Sequence, residues 1–205
     1  MRQFFLFIFL VLLIFNGRSQ SSSLDSLRLV LPKGHTSFVL SAEFSPNNKY
    51  VVTASRDKSA KVWSVQSGKL IHELIGHSNR VVYACFSYDN RYVVTCSRDH
   101  NVILWDSNTG MLVFKFIGHQ KKVLSARFTK DDKFLITSSS DKTIRIWDIS
   151  NGNEVSCLKS DQKDLKKIPA SRDGYKIVLT DKNEIQLFDL KNFVMNLWIR
   201  LDNAC

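Results

Sequence analysis

The chain has 205 residues, 44% of them hydrophobic and 23% charged, with a formal net charge of +10. This balance belongs to a folding globular domain and excludes a disordered polyelectrolyte or a chain too small to bury a core. The basic excess fits an acidic partner, but it serves solubility equally well and decides nothing about the fold.

Residues 4–15 are all apolar, follow Arg2 and precede Asn16-Gly17-Arg18-Ser19-Gln20. A basic start, a short apolar run and a small-x-small site at Gly17/Ser19 make a secretory signal peptide, with cleavage expected after Ser19. As helix the apolar run reaches only ~18 Å, short of the ~30 Å hydrocarbon core, so no stable transmembrane span is expected once the signal is cleaved. Loss of residues 1–19 removes Arg2 and Arg18 and leaves +8. The mature chain is then expected to be secreted or periplasmic; without a working signal it would be cytoplasmic. In the segment 20–33, Leu27, Leu29 and Leu31 alternate with Ser26, Arg28 and Val30 as in a strand.

From residue 34 the chain repeats itself every 42 residues, without a gap across three copies. Gly34-His35, Gly76-His77 and Gly118-His119 recur at that spacing, as do Trp63-Ser64, Trp105-Asp106 and Trp147-Asp148. Within the first copy, strands are expected over 38–44, 50–55, 60–63 and 70–74, separated by turns at Ser45-Pro46-Asn47-Asn48, Arg56-Asp57-Lys58 and Ser67-Gly68. The second strand of each copy is a near-continuous apolar run (50–53, 92–95, 134–137), which marks a strand buried on both faces. Helical periodicity is absent after residue 20. A fourth copy begins near Ser160 with Ser160-Asp161 in place of Gly-His and Phe188-Asp189 in place of Trp-Asp, yet strands remain expected over 176–180, 184–188 and 193–199.

The three Gly-His and Trp-Asp/Ser marks in register resemble the WD-repeat family over roughly residues 27–199. The resemblance implies an all-β fold of about four four-stranded antiparallel propeller blades. These divide as blade 1 at 34–75, blade 2 at 76–117, blade 3 at 118–159 and a degenerate blade 4 at 160–200. Family rings close when an early strand completes the last blade. Here 193–199 already supplies the fourth blade's outer strand, so an open or incomplete ring is expected. The export segment leading into Leu29-Val30-Leu31-Pro32 and Gly34-His35 further resembles exported WD-repeat proteins of bacteria.

In the family, His, Thr, Asp and Trp at fixed offsets form a hydrogen-bonded chain within each blade. The matching sets are His35, Thr53, Asp57 and Trp63; His77, Thr95, Asp99 and Trp105; and His119, Thr137, Asp141 and Trp147. Thr, His and Asp together invite comparison with a nucleophilic triad, but an active site is needed once and this set recurs in every regular copy. No phosphate-cradling loop, metal-binding His motif or cofactor fingerprint is present, so no catalytic residue, metal or cofactor is expected. Cys85, Cys96, Cys157 and Cys205 lack metal spacing and form no evident disulfide framework.

Family members commonly bind through the loops joining the fourth strand to the next first strand and the second strand to the third. On this chain those loops carry Phe38, Arg80 and Lys122, with Arg56 and Arg98 before the turn Asp. The expected function is a non-enzymatic scaffold for a protein partner with acidic character. Nucleic acid is not expected, because aromatic platforms do not interleave with the charge. The alternatives are a sensor portion of a larger exported enzyme, or a structural arc that self-associates through exposed end blades.

Overall fold

The computed structural model describes residues 34–160, 168–181 and 184–200. The expected signal at 1–19 and the segment 20–33 with its closing-type strand lie outside the described residues. Every regular element among those residues is a strand.

Antiparallel pairing follows chain order within each sheet. The first sheet holds β1 (Val39–Phe44), β2 (Tyr50–Ser55), β3 (Ser59–Ser64) and β4 (Leu70–Ile75). The second holds β5 (Val81–Phe86), β6 (Tyr92–Ser97), β7 (Val102–Asp106) and β8 (Leu112–Phe116). In the third are β9 (Val123–Phe128), β10 (Phe134–Ser139), β11 (Thr143–Asp148) and β12 (Glu154–Lys159). A fourth, of three strands, holds β13 (Lys176–Asp181), β14 (Glu184–Asp189) and β15 (Val194–Arg200).

The fourth sheet departs from the four strands expected of a blade. Where β1, β5 and β9 run in the others, the described residues, from Ile168 onward, form only an isolated bridge from Ala170 to Ile177. Pro169 stands at the position of Glu43, Cys85 and Arg127 in the earlier copies. A proline has no N–H to give a ladder. Its carbonyl still accepts the Val178 N–H at 2.8 Å, while the Ala170 N–H turns back to the Ile168 carbonyl at 2.9 Å.

Successive sheets pack face to face through three apolar seams. Val52, Val62 and Leu74 of the first blade meet Val81, Ala84 and Phe86 of the second. Val94, Leu104 and Phe116 then meet Val123, Ala126 and Phe128, and Ile136, Ile146 and Leu158 meet Ile168, Ile177 and Leu179. This accounts for the unbroken apolar runs in the sequence: Val93 belongs to the first seam and its neighbour Val94 to the second. A strand wedged between two sheets has no polar face. Each such aliphatic side chain contributes about 1.5–3 kcal/mol by leaving water.

At one end of the sheets a second repeated device joins neighbours. Ser45, Ser87, Thr129 and Ser171 open the turns after the innermost segment of each blade. Their hydroxyls accept the amides of Tyr50, Tyr92, Phe134 and Lys176 at 2.9–3.0 Å. The left-handed residue of each turn is Asn48, Asn90, Asp132 or Gly174. The Asn90 Oδ1 accepts the Asn47 N–H of the preceding blade at 3.1 Å, and the Asp132 carboxylate accepts the Tyr88 and Asp89 N–H groups at 2.9 and 2.7 Å. At Gly174 a Cβ would come within 3.1 Å of the Thr129 Cα, so this turn lies directly against blade 3. There the Lys130 N–H meets the Asp173 carbonyl at 3.0 Å, and the Arg127 guanidinium reaches the Arg172 carbonyl at 2.9 Å. The degenerate blade thus keeps its turn and its tie to blade 3.

Candidate partner-binding face

A buried tryptophan must find an acceptor for its one N–H, and the three regular blades solve this alike. In blade 2 the Trp105 indole donates to the Thr95 hydroxyl at 2.9 Å, and that hydroxyl lies 2.8 Å from His77 Nε2. His77 Nδ1 lies 2.9 Å from the Asp99 carboxylate, which also accepts the Ser78 and Asn101 amides at 2.9 Å each. The corresponding contacts are 2.8, 2.7 and 2.8 Å through Trp63, Thr53, His35 and Asp57. Through Trp147, Thr137, His119 and Asp141 all three are 2.9 Å.

A carboxylate only accepts, so the histidine proton sits on Nδ1 and leaves Nε2 to accept from the threonine. The chain of donors then runs one way, from indole through hydroxyl and imidazole to carboxylate. At His119 burial lowers the imidazole's affinity for a second proton, outweighing the pull of Asp141. Burial works to raise the aspartates, but their hydrogen bonds prevail. Ser59, His35 and the Thr36 amide hold Asp57 at about 2; Thr143, the Gln120 amide and His119 hold Asp141 at about 2. His77 and the Asn101 and Ser78 amides hold Asp99 lower still.

Gly76 and Gly118, before His77 and His119, leave room for the indole of their own blade. A Cβ on Gly76 would fall 2.9 Å from the Trp105 ring and 3.2 Å from Ile103. Thr95 and Thr137 are wholly buried, so their hydroxyls offer no approach to a substrate. In blade 4, Leu179 takes the threonine's place and Phe188 the tryptophan's, both sealed. Donor and acceptor have gone together, which leaves no orphan.

The opposite end from the interblade turns presents the other predicted residues. β1 begins beside the end of β2, since Val39 pairs with Ser55, and β3 begins beside the end of β4, since Ser59 pairs with Ile75. Both loop sets therefore share one edge. The Arg56 N–H donates to the Phe38 carbonyl at 2.9 Å, Arg98 to Arg80 at 3.0 Å and Ser140 to Lys122 at 3.0 Å. Each blade thus offers a pair: an aromatic with an arginine, two arginines, then lysine with serine. Phe38 is 69% exposed, with the Arg56 guanidinium 5.3 Å from its ring centroid. Among the described residues no carboxylate forms an ion pair with Arg56, Arg80, Arg98 or Lys122.

Sequence reasoning missed three further basic residues on this edge. Lys58, His100 and Lys142 follow the turn aspartates and adopt left-handed backbone, φ 74°, 74° and 68°, which holds them at the tips. The 42-residue spacing of Lys, His and Lys was the available signal. The acidic neighbours Asp57, Asp99 and Asp141 are turned inward onto histidines, so the exposed edge is basic.

Other chemistry is sparse among the described residues. No group of three His, Cys, Asp or Glu side chains is placed to hold a metal, and no helix is long and apolar enough to cross a membrane. Cys85, Cys96 and Cys157 are free thiols. Burial pushes Cys85 up to about 12 and Cys96 well up, so neither is a ready nucleophile. A cleft of about 340 Å³ runs along β5 and β9, lined by Tyr83, Cys85, Arg127 and Phe128.

No curated protein matches the chain. The family described as WD domain, G-beta repeat, matches residues 26–64, 68–106 and 110–148, more than half of its length. Each match from the second onward begins in the turn before one blade's outer strand and ends with the third strand of the next blade, so the family's repeat straddles two sheets. Such repeats build β-propeller scaffolds for protein interaction and are typically non-catalytic. With three matched repeats and the same hydrogen-bonded set in each regular blade, the chain belongs to the WD-repeat family.

Proposed function

We propose that this chain is an exported, non-catalytic scaffold that holds an acidic protein segment on the edge carrying Phe38, Arg56, Arg80, Arg98 and Lys122. The observation that carries the reading is the pairing of these positions across three blades with no carboxylate among the described residues ion-paired to them. Guanidinium groups take carboxylates bidentately, and Phe38 supplies an apolar contact beside them. Export rests on the apolar run at 4–15 and its flanks.

The triple variant Arg56→Glu, Arg80→Glu, Arg98→Glu tests the face. These side chains are not in the seams, so the fold should hold, as circular dichroism would show. Affinity capture by the exported chain is expected to fall at least about tenfold in the variant, and capture by the native chain to weaken as salt rises. Undiminished capture by a folded triple variant would remove the basic edge from the account.

A further inference from the structure

The seams inside the chain define what each blade face fits. The face turned toward the preceding blade is sealed in blades 2 to 4 and open in blade 1. Phe44 is 57% exposed, whereas its counterparts Phe86 and Phe128 are 8% and 2%. Ala42 is exposed where Ala84 and Ala126 are buried, and Trp63 is half-buried where Trp105 and Trp147 are sealed. The face turned toward the following blade behaves in the opposite sense. Val52, Val94 and Ile136 are fully buried, but Val178 at the same position is part-exposed; Leu187 is likewise part-exposed where Val62, Leu104 and Ile146 are sealed.

We infer that copies of this chain associate head to tail, with the Val178 and Leu187 face of one fourth blade seated on the Phe44 and Trp63 face of another copy's first blade. The second copy is the indicated occupant because the chain makes this same junction three times within itself, with the same positions on each side. Burying the aromatic and aliphatic surface drives the contact. The two faces differ, so the junction is heterologous. The basic edge lies apart from both faces, so this inference stands independently of the proposed partner.

Light scattering coupled to size exclusion on the chain as expressed tests it with two variants. Phe44→Asp acts on an exposed side chain and should fold normally; Leu187→Asp alters the other face, and Val178→Asp, on a different strand, must reproduce it. The native chain is expected at twice the chain mass or more, each variant alone as monomer, and an equimolar mixture of Phe44→Asp with Leu187→Asp should regain a dimer through the one intact junction. A monomeric native chain at high micromolar concentration would overturn the inference. So would an unaltered Leu187→Asp oligomer, which would indicate like faces pairing, or a mixture that stays monomeric.

Discussion

Replacing Thr95 with valine should destabilise the protein by about 3 kcal/mol, although the two side chains have nearly the same shape. The hydroxyl accepts from the Trp105 indole and is shared with His77 Nε2, and all three groups are sealed. A valine leaves a buried donor and a buried acceptor without partners, each at about 1–3 kcal/mol. Thr53→Val should cost less than half as much, because Thr53 and Trp63 are only partly buried and water can replace the lost partner. Blade 4 shows how the loss is absorbed, since Leu179 and Phe188 replace threonine and tryptophan together. The double change Thr95→Val with Trp105→Phe should therefore cost clearly less than the two singles added. A double-mutant cycle by urea unfolding reads this coupling, and strict additivity would show that the relay is not a unit.

Acid should unfold the protein in two stages. Asp57 and Asp141 sit at about 2 and Asp99 lower, all below the ordinary 3.8. The unfolded chain therefore takes up these protons first as pH falls. Stability supplied by the carboxylates is complete above about 4 and is lost as pH drops through the folded-state values. His119 acts in the same direction at higher pH. Its imidazole is held below 6.5 in the fold, so the unfolded state gains a proton there first and stability begins to decline from about 6.5 downward. The melting temperature should be level above pH 7, slope gently to pH 4 and fall steeply beneath it, by about 10 °C or more in total by pH 3. A melting temperature that rises on acidification would contradict the charged state of the three carboxylates and the lowered proton affinity of His119.

The sequence carried the blade pattern clearly because its signals are local and repeated. A Gly-His, a turn Asp and a Trp at fixed offsets need no knowledge of neighbours, and the relay joins residues within one sheet. Other features depend on what lies across a seam. Asn90 and Asp132 look like ordinary turn residues until the left-handed backbone aims them at the preceding blade. Among the described residues the inner position of blade 4 holds only a bridge, with Pro169 as a cause legible in the sequence, whereas four strands were expected from the family resemblance alone. The binding edge was half legible. Phe38, Arg56, Arg80, Arg98 and Lys122 followed from loop position, while their pairing through backbone hydrogen bonds and the basic turn tips required the register of β1 with β2.

The dependence of each relay on the neighbouring sheet that covers it is tested most directly by hydrogen exchange at the indole N–H groups, resolved by NMR. The Trp105 and Trp147 protons should exchange at least about a hundredfold more slowly than that of Trp63, whose covering face stands open in the single chain. If the native chain is oligomeric, the comparison belongs to the monomeric Phe44→Asp form. Equal, rapid exchange at all three positions would mean that the sheets are not packed as described, and the account of these blades would fail with it.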